Sequence, residues 1–203
     1  MAVDVLSSAT QISSALGELT REVARSVVLV RGSRGSAGSG VVWTAATPGL
    51  VLTNHHVVPV ASAQLTLGDG RRVSARVVRR APALDLAALR VDDADLSQFA
   101  ARVGDSDALR VGDLVVAVGN PMGERNAPSL GILASTPDDI LRLAITLRPG
   151  NSGGALVNAA GEVVGIPHMV TGSGLALAVS TRTVRRFLNG ATGESESEGL
   201  VWI

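Results

Sequence analysis

Short runs of β-branched and aliphatic residues recur along this chain, broken roughly every ten residues by Gly, Pro or Asp. Ser26-Val-Val-Leu-Val30, Gly40-Val-Val-Trp43, Leu50-Val-Leu-Thr53, Ala63-Gln-Leu-Thr-Leu67, Arg72-Val-Ser-Ala-Arg-Val-Val78 and Leu86-Ala-Ala-Leu-Arg-Val91 form a first set. Leu114–Val118, Leu130–Leu133, Leu141–Thr146, Ala155–Val157, Val163–Ile166 and Leu175–Val179 form a second. Such side chains pack well on a pleated surface. With no helices interleaved, the pattern is that of an all-β fold, a barrel or a sandwich. The Gly- and Asp-rich stretch Gly104-Asp-Ser-Asp107, followed by Gly112-Asp113, suits a link between two β units. A helix is expected over Ser7–Arg25, where Ile12, Leu16, Leu19 and Val23 recur at three- and four-residue steps. A shorter one is expected at about Thr183–Leu188. The organisation read from this is a helical segment over 1–25, a folded unit over 26–190 with halves at about 26–105 and 111–182, and an acidic, mobile tail over 191–203.

Composition removes several functions. The 203 residues are 46% hydrophobic, enough to bury a substantial interior. The 18 basic and 18 acidic side chains cancel, which argues against nucleic acid as a partner. Aromatics are 2%, too few for a base-stacking platform. There is no Cys and no Lys, so thiolate zinc sites, a cysteine nucleophile and lysine Schiff-base chemistry are excluded. No run approaches the length of a membrane-spanning helix, and no metal or cofactor site is indicated. The start, Met1-Ala-Val-Asp-Val-Leu6, lacks a basic, then apolar, leader pattern. The chain as written is therefore expected in the cytoplasm, or in the periplasm or outside the cell if a leader has been removed.

Three segments carry chemistry together. In Gly150-Asn-Ser-Gly-Gly-Ala155 a serine sits among glycines, which allow a strained turn whose amides converge on one point. Alone, the segment reads more readily as a glycine-rich hairpin loop. Thr53-Asn-His-His-Val-Val58 places two of the three histidines at a strand end, where an imidazole can act as general base. Neighbouring side chains on a strand diverge, so the pair is a poor metal chelate and one of the two should face the site. Asp85 lies inside the apolar run Ala83-Leu-Asp-Leu-Ala-Ala-Leu89. A buried carboxylate there is costly unless a donor such as a histidine N–H meets it. Taken alone, Asp85 could still be a turn residue. The order His, Asp, Ser, at intervals of 29 and then 67 residues, joins the three signals.

With those segments and Ser26-Val-Val, Gly38-Ser-Gly-Val-Val, Leu84-Asp-Leu-Ala-Ala-Leu, Val103-Gly-Asp-Ser-Asp, Ala117-Val-Gly-Asn-Pro-Met-Gly and Ser173-Gly-Leu-Ala-Leu-Ala-Val, the chain resembles the trypsin-like serine peptidases of chymotrypsin fold, specifically the HtrA/Do (Deg) group. The resemblance implies two six-stranded antiparallel β-barrels, with an N-terminal helix and a short C-terminal one, and a cleft between them. It also implies an endopeptidase acting on unfolded or misfolded polypeptides through an acyl-enzyme. In its Thr-Asn-x-His-Val-Val pattern the base is His56, with Asp85 as its partner, Ser152 as nucleophile and Gly150, Asn151 and Ser152 forming the oxyanion turn. Thr146 would form the base of the specificity pocket, and Ser173, Gly174, Leu175 and Ala176 its far wall. Neither place has an acid, so small aliphatic P1 residues are expected. His168 is read as a surface or packing histidine, with contact to an acidic P1 as the alternative.

The chain departs from the group in four places. The sequence as written includes no PDZ domain after the peptidase segment, so PDZ-based activation in cis is not expected, and the apolar end Leu200-Val-Trp-Ile203 is of the type a PDZ groove accepts in trans. The Gly32–Gly40 loop is short. N-terminal aromatics that support a trimer are missing, which leaves homotrimer and monomer both open. Ala144-Ile-Thr-Leu-Arg148 replaces a Thr-Asp-Ala-Ala-Ile-like stretch. Asn151 stands where trypsins carry an acid that pairs with a newly cut N-terminus, so activation by N-terminal cleavage is not expected. Two rival readings share the same residues: a catalytically silent relative that binds proteins, and an esterase or acyltransferase.

Overall fold

A computed structural model describes residues 5–32, 36–43, 49–92, 94–137, 139–172 and 174–190. Helix α1 (Val5–Ala24) is followed by β1 (Val27–Arg31), β2 (Ala37–Val42), β3 (Leu50–Asn54), β4 (Ser62–Thr66), β5 (Arg72–Ala81) and β6 (Leu86–Arg90). The second set is β7 (Leu114–Gly119), β8 (Ala127–Ser135), β9 (Ile140–Ala144), β10 (Ala155–Asn158), β11 (Val163–Val170) and β12 (Ala176–Ser180), and helix α2 (Thr181–Asn189) completes the described fold. Each set closes on itself as an antiparallel barrel, in the orders β1-β2-β3-β6-β5-β4 and β7-β8-β9-β12-β11-β10. The two halves thus repeat one connectivity. This is the all-β, two-barrel architecture implied by the sequence.

Both faces of the central strands are buried, and strand alternation explains how. In β3, Val51 points into the first barrel while Leu50 and Leu52 point out of it. In β6, Ala87 and Leu89 point in, and Leu86 and Ala88 out. In β7, Val115 and Ala117 fill the second barrel while Val116 and Val118 face the first. The outward residues merge into a third apolar cluster between the barrels, which Ala155, Ile166 and the α2 residues Val184 and Phe187 complete. Helix α2 starts at Ser180, whose side chain caps the Thr183 amide, and ends at Gly190 with φ of 93°. Of the apolar stripe expected on α1, Val23 is buried and Leu16 and Leu19 pack on the inter-barrel cluster. Ile12 remains 61% exposed, so the helix docks by its C-terminal half. The tail over 191–203, with Leu200–Ile203, lies outside the described residues.

Candidate active site

Strand register brings the first two groups together. Asn54 at the end of β3 pairs with Leu86 at the start of β6, so the residues just beyond, His55 and Asp85, face each other. The His55 amide donates to the Asp85 carbonyl at 3.0 Å, and Asn54 Nδ2 donates to the same oxygen at 2.8 Å. Beyond Asn54 the chain coils into a 3-10 turn, His55–Val57, rather than extending the strand. The turn carries the His56 amide to 3.0 Å from Asp85 Oδ1 and its Nδ1 to 2.7 Å from Oδ2. Asp85 is 2% exposed. Burial pushes its carboxyl up, but the neighbouring His168 and then His56 more than offset this and hold it below the ordinary carboxylate range.

The neighbouring histidine faces elsewhere. His55 Nδ1 lies 3.0 Å from Arg80 Nη1, and since a guanidinium only donates, the imidazole accepts there. Burial, followed by the Arg80 charge, lowers the His55 pKa, and Asp85 opposes them. The divergence expected for adjacent histidines is present, produced by a turn rather than by strand alternation.

The serine turn is built against the first barrel. Gly150 and Gly153 have φ of 99° and 82°, a region where side chains are strained. A Cβ on Gly153 would stand 2.2 Å from the Ser39 carbonyl. Ser39 of β2, itself fully buried, donates its amide to the Ser152 carbonyl at 2.8 Å and its hydroxyl to the Gly150 carbonyl at 2.7 Å. Asn120 donates its amide to the Ser39 hydroxyl at 2.8 Å and so fixes that oxygen in turn. The Met122 amide donates to the Pro149 carbonyl at 3.0 Å. A trans peptide points its C=O and N–H in opposite directions, so this bond turns the Gly150 N–H away from Met122. Neither the Gly150 nor the Ser152 amide donates to a main-chain carbonyl among the described residues, whereas the Asn151 amide is engaged by Arg148 O at 3.0 Å. Of the three residues expected in the oxyanion turn, Asn151 therefore has its amide occupied.

His56 and Ser152 line one cleft of about 420 Å³, together with Leu147, Arg148, Pro149, Asn151, His168, Met169 and Val170. The pocket walls differ from those expected. Thr146 is exposed and does not line the cleft; the following residue, Leu147, does. Ala176 is fully buried inside the second barrel, and Gly174 and Leu175 are not among the lining residues. Ser173 lies outside the described residues. The wall is supplied instead by Met169 and Val170 of β11. His168 is neither a surface residue nor simply packed: its side chain is 8% exposed and its Nδ1 stands 3.7 Å from Asp85 Oδ2. Sequence reasoning also missed the part played by Ser39, for which the only signal was its place between two glycines.

Residues 38–166 match the family model described as the trypsin-like peptidase domain. The chain is 35% identical to the serine protease Do-like HtrA of Lactobacillus helveticus, over 76% of this chain and 42% of the relative. It is 40% identical to the periplasmic serine endoprotease DegP of Salmonella typhimurium, over 64% of this chain and 29% of the relative. Among solved structures, the HtrA-type protease AlgW with a tripeptide superposes with a TM-score of 0.78 at 31% identity, covering 86% of this chain and 62% of that one. The chain thus spans less than half the length of these two curated relatives. By the family match and the two-barrel architecture alike, the chain belongs to the trypsin-like peptidase domain family, and the relatives it is similar to are HtrA/Do-type proteases.

Proposed function

We propose that the chain is a serine endopeptidase that cleaves polypeptides through an acyl-enzyme on Ser152. The observation that carries this is the 2.7 Å contact of His56 Nδ1 with buried Asp85, on a cleft that His56 shares with Ser152. Donation from Nδ1 makes Nε2 the basic nitrogen of His56. The Ser152 hydroxyl adds to the peptide carbonyl as its proton passes to Nε2, and the Gly150 and Ser152 amides receive the negative charge on the carbonyl oxygen. The C–N bond then breaks as His56 returns the proton to the departing amine. Water, activated by the same imidazole, releases the acid and regenerates Ser152. Leu147, Pro149, Met169 and Val170 give the cleft apolar walls, which supports an aliphatic P1 side chain. Unfolded or misfolded proteins are the substrate class proposed from kinship with the HtrA/Do group. The name of the DegP relative puts that protein in the periplasm, which favours the periplasm among the expected compartments.

Labelling with a fluorophosphonate, followed by casein cleavage, tests this reading. Wild type should label and cleave, and Ser152→Ala should do neither. Labelling without cleavage would point to an esterase, and a wild type that does not label would point to a silent binder.

A further inference from the structure

Arg80 of β5 has no part in the reaction just described, yet its guanidinium grips the segment that carries His56. Nη1 donates to the Val58 carbonyl and lies 3.0 Å from His55 Nδ1, and Nη2 donates to the Val60 carbonyl. The imidazole of His55 must accept there, because a guanidinium only donates. Burial, followed by the Arg80 charge, keeps His55 below its ordinary range, which leaves it the neutral acceptor this contact requires at neutral pH. Three N–H groups of one side chain thus hold residues 55, 58 and 60, on both sides of the base.

A β-bulge aims that side chain. In β5, Val77 stands opposite Leu89 of β6, but Arg79 stands opposite Ala88 and Arg80 opposite Ala87, so Val78 is an extra residue. Directly opposed residues share a face of the sheet. Ala87 and Leu89 point into the first barrel and Ala88 points out of it. Strict alternation from Val77 would therefore turn Arg80 outward. The bulge turns it inward at the end of β5, where it meets the chain leaving β3. Arg79 takes the outer face instead, and its Nη1 donates to the Leu188 carbonyl of α2 at 2.8 Å. Of two adjacent arginines, one ties down a helix and the other the histidine turn.

Asp85 holds the front of the turn through the amides of His55 and His56. Past His56, the Ser36 hydroxyl donates to the Val57 carbonyl at 3.1 Å, and Arg80 takes the carbonyls of Val58 and Val60. We propose that Arg80 is a positioning residue for the general base: by binding the chain on both sides of His56, it keeps the imidazole seated on Asp85 and facing the cleft. A displacement of about 1 Å in a reacting group can cost on the order of a hundredfold in rate. A restraint of this kind therefore matters even though Arg80 does not line the cleft. The positioning role rests on the peptidase reading; the restraint on the turn does not.

The test uses two variants and one measurement that needs no turnover. Arg80→Met removes every donor and keeps an apolar stem. It should lower kcat and the rate of fluorophosphonate labelling roughly tenfold to a hundredfold, with KM unchanged. Proton NMR of the Ser152→Ala protein should show the His56 Nδ1 proton as a low-field signal, assigned by its absence in His56→Ala. Adding Arg80→Met should broaden that signal through faster exchange with water. A lower melting temperature with kcat and signal unchanged would make Arg80 a support for the barrel end only, and would overturn the proposal. A loss confined to KM would overturn it as well. If Arg80→Met does not melt cooperatively, Arg80→Gln, polar but too short to span the three acceptors, decides by the same readings. A wild type that neither labels nor cleaves defeats the peptidase reading, while the His56 proton still decides whether Arg80 holds the turn.

Discussion

Asp85 has φ of 50°, a left-handed conformation that Asp and Asn tolerate and most residues do not. That separates two kinds of substitution. Asp85→Asn keeps the backbone at ease and removes only the charge, leaving His56 without an anion to fix its tautomer, and kcat is expected to fall roughly 10⁴-fold. Retention of substantial activity by a well-folded Asp85→Asn would remove the carboxylate from the mechanism. The same residue shapes stability. Because the fold holds this carboxyl below its ordinary 3.8, the ionised group stabilises the protein above that pH, and the contribution is lost as pH falls through the depressed value. His55 contributes with the same sign. The fold disfavours its proton, so its contribution is complete above 6.5 and shrinks as the pH drops below. His55→Asn, which keeps an acceptor for Arg80, should flatten part of that decline in thermal melts. An identical decline in both proteins would show that His55 is not a source of it.

The elements around the serine are arranged to hold two glycines against one serine of the other barrel. Gly153→Ala combines a strained φ of 82° with a 2.2 Å approach to the Ser39 carbonyl. It should cost more than the about 1–3 kcal/mol of backbone strain alone and lower both melting temperature and activity. Ser39→Ala is the milder probe. It deletes the bond to the Gly150 carbonyl and leaves buried polar groups unpaired, at about 1–3 kcal/mol, and kcat should fall more than KM rises. An unchanged kcat would mean that the turn holds its shape without Ser39. At this scale the sequence was a good guide to strand existence and a poor one to strand ends. Each of the twelve strands overlaps one of the β-branched or aliphatic runs. But β8 begins at Ala127 and includes Pro128, and β11 runs through Pro167 to Val170, whereas proline ordinarily demotes a strand. A bulge between Pro167 and Met169 allows the proline and also turns His168 toward Asp85, and no side-chain pattern announces it. The His, Asp and Ser positions were legible as residue types in suggestive settings. The meeting of His56 with Asp85 depends on the register of Asn54 with Leu86 and on the 3-10 turn after it, which are tertiary facts. The pocket wall was misplaced for a similar reason: Ala176 points into its barrel, and Met169 and Val170 line the cleft.

Across the whole molecule, the apolar cluster between the barrels is what keeps the two halves of the site in register. Phe187 of α2 is fully buried in it, with the Arg79 guanidinium 5.6 Å from its ring centre. Phe187→Ala should cost about 3–5 kcal/mol in chemical denaturation and still unfold in one transition, because the cluster draws on both barrels and both helices. Two separated transitions would show that the barrels are independent. The two bonds from Ser39 to the serine turn have a further consequence during synthesis. The turn that bears Ser152 is supported by a strand made more than a hundred residues earlier, and the barrel that carries it closes only when β12 joins β9. On the peptidase reading, a chain still emerging from the ribosome would carry its histidine and carboxylate without an aligned nucleophile, so that cleavage would wait until the second barrel is complete.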